Sequence, residues 1–219
     1  MSQITLVRHG QANSQARDEQ SYDKLSELGH QQARWLGEHF DASGERFARV
    51  YSGTLRRHRE TAAGIGTERH AELVLDERLN EIRYFDLAHL ALEQHGLAIP
   101  QGREEFARHS VRMIGMWRDG QLEDTPESYD HFMTRIREAI DEIAAGKGRA
   151  LVVTSGGWIG VALAQLMELG PQQMSLMMMS VMNTSVTRLQ PLNGQLMLAQ
   201  FNALPHLETV QRQFARTHI

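Results

Sequence analysis

The chain of 219 residues is 41% hydrophobic and 23% charged, with a formal net charge of −4, a balance that suits a globular protein of one sizeable domain. It has no cysteine, which excludes disulfides and thiolate metal sites. Its acidity also speaks against a nucleic-acid partner, which calls for a basic footprint. No run approaches the roughly 20 apolar residues of a membrane span, and the first residues do not form a basic and then apolar signal segment. A cytoplasmic protein with no membrane partner is therefore expected.

Ile4-Thr5-Leu6-Val7 is apolar and β-branched, so residues 3–8 read as a buried strand. Arg8-His9-Gly10 stands at its exit. Ser26 reads as the N-cap of a helix whose Leu28, Ala33, Leu36 and Phe40 fall near one face. Arg49-Val50-Tyr51 reads as a second strand ending at Ser52-Gly53, followed by a helix from about Leu55 through Thr61-Ala62-Ala63. Glu72-Leu73-Val74-Leu75 is a third strand candidate. Residues 82–125 are rich in charge, have no clear period and are punctuated by Pro100, Gly102 and Gly120. They read as an insertion or lid over the sheet's end, helical around 103–118. An amphipathic helix follows over 127–145, through Phe132, Ile136, Ile140 and Ile143.

Ala150-Leu151-Val152-Val153-Thr154 is the clearest buried strand, with Ser155-Gly156-Gly157 leading into an apolar helix from Trp158. Pro171 starts another helix, whose methionines between Met174 and Met182 suit core packing better than a special binding face. Asn193-Gly194 separates two strand-like runs and signals a hairpin. The alternation predicts an α/β fold: a three-layer α/β/α sandwich with a mostly parallel sheet, an antiparallel edge hairpin and a lid-like insertion, in one domain spanning 1–219.

Ligands of such sheets bind beyond the carboxyl ends of the strands. The first strand brings Arg8 and His9 there, the second Arg56, Arg57, His58 and Arg59, and the third leads to Glu81. The clearest strand brings Ser155-Gly156-Gly157 and the free N–H groups of a helix N-terminus. Arginine forks, a histidine, a carboxyl and an amide nest make a phosphate pocket with a nucleophile and an acid. The eleven histidines include no pair at metal-ligand helical spacing and no His-Glu-x-x-His motif, so neither metal nor cofactor is expected.

The ordered blocks resemble the histidine phosphatase superfamily, in its phosphoglycerate-mutase-like branch. Leu6-Val7-Arg8-His9-Gly10 resembles the family's N-terminal signature, and Val50-Tyr51-Ser52 through Thr61-Ala62 its second block, with the essential arginine at Arg57. Arg78-Leu79-Asn80-Glu81 resembles the segment carrying the acid. Asn183-Thr184-Ser185-Val186-Thr187 and Asn202-Ala203-Leu204-Pro205-His206-Leu207 resemble the C-terminal blocks. The resemblance implies that His9 becomes phosphohistidine while Arg8, Arg57, Ser155 and Gly156 bind the phosphoryl group of a small phosphorylated substrate. It gives Glu81 the role of acid and then base, which needs a carboxyl holding its proton at the start; a nearby phosphate dianion favours that form.

Two departures stand out. Ser155 occupies the place of the family's second histidine, leaving His206, His58 or another histidine to compensate in space. Gln15 replaces the family's asparagine five residues after the signature glycine, with Asn13 out of register and Ser14 between them; these are the substrate-loop candidates. A phosphomonoester hydrolase is the leading expectation, a phosphoglycerate-type mutase the alternative, and a non-catalytic phospho-ligand binder a third, kept open by Ser155. Plainer roles also exist. Arg57 sits in a basic run that reads as a solvated helix start, Glu81 could pair with Arg78 or Arg83 while Glu77 serves as acid, and Ser155 could cap its helix. Substrate identity and oligomeric state are not read from the sequence.

Overall fold

The structure, a computed structural model, describes every residue except Ser14, Gln15, Arg17 and Ile219, and the backbone but not the side chain of Arg103. The sheet has six strands: β1 (Ile4–Arg8), β2 (Arg49–Ser52), β3 (Leu73–Leu75), β4 (Ala150–Thr154), β5 (Val186–Leu192) and β6 (Gln195–Ala203). Their spatial order is β3-β2-β4-β1-β5-β6. The first four run parallel, and the β5–β6 hairpin adds antiparallel strands at one edge. Asn193 and Gly194 turn that hairpin, both at positive φ, as a tight two-residue connection requires.

Residue alternation along the two central strands sends side chains to both faces. Val7, Leu151 and Val153, with Val50 of β2, meet α2 (Glu27–Ala42) and α3 (Arg56–Ile65) through Leu36, Phe40, Ala62 and Ile65. Ile4, Leu6, Ala150 and Val152 meet a larger cluster on the opposite face. That cluster is built by α4 (Tyr84–His95), α5 (Arg103–Arg118), α6 (Tyr129–Ala145), α7 (Gly156–Leu166) and α8 (Pro171–Ser180). The result is a three-layer α/β/α fold. A short helix, α1 (Glu19–Tyr22), lies between β1 and α2, and no helix among the described residues is long and apolar enough to cross a membrane.

The region 82–125 is more helical than its sequence pattern suggests. α4 starts at Tyr84 and buries Leu87, Ala88 and Ala91. It was not legible because its N-cap residue, Arg83, makes no side-chain capping bond, so the usual start signal is missing. α5 buries Met113, Ile114 and Trp117 in the same cluster. In the methionine-rich stretch Met174 is buried, while Leu176 beside it is 54% exposed.

Candidate active site

Parallel register brings the site together. Arg8 lies opposite Thr154, and the His9 amide donates to the Thr154 carbonyl at 2.8 Å, so His9 and Ser155 leave neighbouring strands side by side. On the other side of β4, Ser52 pairs with Val153, and α3 starts four residues later. Arg8, His9, Arg57, His58 and Ser155 are all buried.

His9 Nδ1 donates to the Gly10 carbonyl at 2.7 Å, which leaves the lone pair of the neutral ring on Nε2. Burial holds the His9 pKa well below the usual histidine value, with Arg57, Arg8 and His58 adding to the effect. The ring is therefore neutral at physiological pH, the form a nucleophile requires. The backbone here is clamped from the C-terminal blocks. The Thr184 amide donates to the Arg8 carbonyl at 3.0 Å, and Asn183 Nδ2 to the His9 carbonyl at 3.2 Å. Thr184 adopts φ 55° to do so, an uncommon conformation for a residue with a branched side chain. His206 Nε2 donates to Thr184 Oγ1 at 2.9 Å, since that hydroxyl gives its own proton to the Asn183 carbonyl. His206 thus supports the clamp. Burial pushes its pKa down to about 3.

Arg8 is held by backbone carbonyls. Its Nη1 donates to Val181 and, at 2.7 Å, to His218. Arg57 is held by Asp23, whose Oδ1 accepts from Arg57 Nη1 at 3.0 Å and from the Arg57 amide at 3.2 Å. Asp23 Oδ2 takes the Arg56 amide at 2.9 Å, so one carboxylate caps α3 from outside and orients its buried arginine. Arg57 also lies 4.9 Å above the Tyr22 ring, and that ring meets His9 edge-on at 6.3 Å. The Nε groups of Arg8 and Arg57 are buried and have no hydrogen-bond partner among the described residues. Buried N–H groups seldom go without an acceptor, and two on guanidinium cations beside a neutral imidazole fit the oxygens of a phosphoryl group.

Glu81 sits at the N-terminus of α7. Its Oε2 accepts the Gly157 amide at 2.8 Å and its Oε1 the Ile82 amide at 3.0 Å. A Cβ on residue 157 would lie 2.4 Å from Glu81 Oε1, so glycine is what lets the carboxyl rest there. Gly156 touches Arg8 in the same way, its Cβ position being 3.2 Å from Arg8 Nε. The first turn of α7 is therefore bracketed by Arg8 and Glu81. Glu81 also lines a cleft of about 500 Å3 together with Asn80, Arg83, Glu127, His131 and Arg135.

Of the plainer roles, the solvated-run description suits Arg56 and Arg59, which are exposed, but Arg57 between them is 1% exposed. Arg78 pairs with Asp76 and Glu142 and Arg83 with Asp86, so neither engages Glu81. Glu77 is exposed. Ser155 makes no capping bond; its Oγ instead lies 2.6 Å from His58 Nε2. Asn13 Nδ2 donates to the Ser21 carbonyl at 3.0 Å, while Gln15 and Ser14 lie outside the described residues. Arg108 and Arg112 of the 82–125 region are exposed.

Three residues at the site carried no sequence signal: Asp23 and Tyr22, which act on Arg57 from more than thirty residues away, and Glu19. Glu19 Oε1 accepts the Phe85 amide at 2.9 Å, and burial pushes its carboxyl pKa up, opposed by that bond and by Arg57 and reinforced by Asp86 and Glu81. No group of three or more His, Asp or Glu residues among those described forms an arrangement able to hold a metal ion.

Among curated proteins none matches the chain. Solved structures share its fold. A phosphoserine phosphatase from Entamoeba histolytica in complex with phosphoserine superposes with a TM-score of 0.69 at 21% identity, covering 94% of this chain and 100% of that one. A mycobacterial glucosyl-3-phosphoglycerate phosphatase in complex with VO3 gives 0.66 at 24% identity, covering 92% and 98%. A phosphoglycerate mutase from Bacillus anthracis gives 0.64 at 21% identity, covering 94% of each. The sequence profile of the histidine phosphatase superfamily (branch 1) matches residues 4–204, nearly the whole span that runs from β1 to the Thr184–His206 clamp. The chain belongs to the histidine phosphatase superfamily, branch 1.

Proposed function

We propose that this protein hydrolyses small phosphomonoesters through a phosphohistidine formed on His9, without a metal ion or cofactor. The observation that carries the reading is the buried, neutral His9, with its lone pair on Nε2, beside two arginines whose Nε donors have no partner among the described residues. In the first step the Nε2 lone pair forms the N–P bond as the ester P–O bond breaks. Glu81 gives its proton to the departing oxygen. Arg8 and Arg57 follow the nonbridging oxygens through the transition state, where positioning and charge dominate the rate. In the second step Glu81 takes a proton from water, whose oxygen attacks phosphorus. The N–P bond breaks, inorganic phosphate leaves and Nε2 regains its lone pair. Gly156, Ser155 and the first turn of α7 complete the phosphate cradle.

The test uses p-nitrophenyl phosphate and a set of alkyl phosphates in buffer containing a chelator. Inorganic phosphate should be released, and a phosphoryl label should be retained on the protein after alkaline but not acid quench. His9→Ala should lose at least ~10³-fold in kcat. Phosphate binding without turnover, or turnover that survives His9→Ala, would overturn the reading.

A further inference from the structure

The sequence places Ser155, not a histidine, beside His9, and the structure brings an imidazole there from another element. His58 of α3 is buried, its ring centre lies 5.6 Å from that of His9, and its Nε2 lies 2.6 Å from Ser155 Oγ. Its Nδ1 has no hydrogen-bond partner among the described residues and faces Gly53, whose Cβ position would be 2.1 Å away. A buried lone pair without a partner is tolerated better than a buried N–H without one, so the proton belongs on Nε2. His58 then donates to Ser155 Oγ. The Ser155 hydroxyl keeps its own proton and makes no bond to the helix it starts.

We infer that His58 is a positioning residue for Ser155: its Nε2–H fixes the serine hydroxyl so that the hydroxyl proton is aimed at a nonbridging oxygen of the phosphoryl group on His9. The pair thus delivers through two side chains, one on α3 and one at the N-cap of α7, the donor that one longer side chain at position 155 would supply. Gly53 is part of the device, because any side chain there would occupy the space of the ring. His58 itself does not touch the substrate. It acts by removing the rotational freedom of a hydroxyl, and a preorganised donor is worth more in a transition state than a free one. The inference rests on the phosphatase reading.

The experiment compares wild type, His58→Leu, His58→Gln, Ser155→Ala and the double variant His58→Leu/Ser155→Ala. It reads kcat and KM for p-nitrophenyl phosphate, the Kd of orthovanadate, and the thermal midpoint. Leucine fills the space without a donor, whereas the glutamine amide keeps one near Ser155 Oγ. Ser155→Ala and His58→Leu should each lower kcat by about 10²-fold and weaken vanadate binding. His58→Gln should recover most of both, and the double variant should be no worse than Ser155→Ala alone, because the two residues act as a unit. Three results would overturn the inference: His58→Leu within threefold of wild type, losses that multiply in the double variant, or a lowered midpoint with unchanged vanadate affinity. If His58→Leu does not fold, His58→Gln decides, and a loss as large as that of Ser155→Ala overturns the inference. Failure of the phosphatase reading looks different: wild type itself would show no turnover, or His9→Ala would retain it.

Discussion

At the scale of single residues, the site separates its arginines by the company they keep. Arg56 is exposed and pairs with the half-buried Glu60, whereas its neighbour Arg57 is buried against Asp23 and Tyr22. The run Arg56-Arg57-His58-Arg59 is uniform as a string, yet alternate sides of one helical turn turn it into two solvated and two buried residues. Only the neighbouring blocks singled out Arg57 in the sequence, and nothing local distinguished His58. The sequence singled out Glu81 through its segment but gave no sign of its rest position on the Gly157 amide, because that contact spans 76 residues. The acid role can be separated from mere charge. Glu81→Gln should lower kcat/KM, which reports the steps up to phosphohistidine formation, by about 10²–10⁴-fold for alkyl phosphates and much less for p-nitrophenyl phosphate, since p-nitrophenolate leaves without a proton. Steady-state kinetics on both substrates checks this, and equal losses in kcat/KM would refute the acid role of Glu81.

At the scale of elements, α3 shows how a helix start is stabilised from a distance. Its N-cap residue, Leu55, offers no side-chain acceptor, and Asp23 takes the amides of Arg56 and Arg57 instead. Ser26, by contrast, caps α2 locally by accepting the Gly29 amide at 3.0 Å, and that cap was readable from the sequence. The difference is physical: a local cap leaves a pattern within four residues, and a long-range one leaves none. Asp23→Ala should cost about 1–2 kcal/mol of stability, as loss of an N-cap does, and kcat/KM should fall by at least ~10-fold as Arg57 loses its orientation. Asp23→Asn should recover part of both by keeping an acceptor. Urea denaturation beside kinetics would test the pair, and unchanged stability in Asp23→Ala would refute the capping role. β1, β4 and the β5–β6 hairpin were readable because their burial and turn chemistry are encoded locally, through Ile4, Leu6, Val152 and Asn193-Gly194. α4 was not, because its buried face becomes evident only against the cluster it packs on.

At the scale of the whole molecule, four histidines among the described residues are buried: His9, His58, His109 and His206. All four have pKa values pushed down chiefly by burial, which keeps them neutral near pH 7. In the unfolded chain such groups take up a proton near pH 6.5, so below that pH the unfolded state binds protons that the folded state refuses. Stability is therefore at its full value above about pH 6.5 and falls as pH drops toward the folded values. For His206, with a folded pKa of about 3, the loss between pH 6.5 and pH 5 is about 2 kcal/mol. Glu45, Asp76 and Glu127, whose carboxyls are held below their ordinary range by arginine partners despite burial, add losses at lower pH. Urea denaturation at pH 7 and pH 5 should show the decline. His206→Gln should flatten it, and an equally steep decline in that variant would contradict the assignment.

The strand order has a consequence for how the chain reaches this state. β1 is flanked by strands far along the sequence, with Ile4 opposite both Ala150 and Leu189. Closing loops of that length is entropically costly before any contact repays it, and topologies dominated by such pairings fold slowly. An N-terminal fragment that stops short of Ala150 would hold the signature Arg8-His9-Gly10 on a strand with neither of its neighbours. The proposed phosphate chemistry thus requires the completed topology, and a nascent or truncated chain carrying the full signature should have none of it.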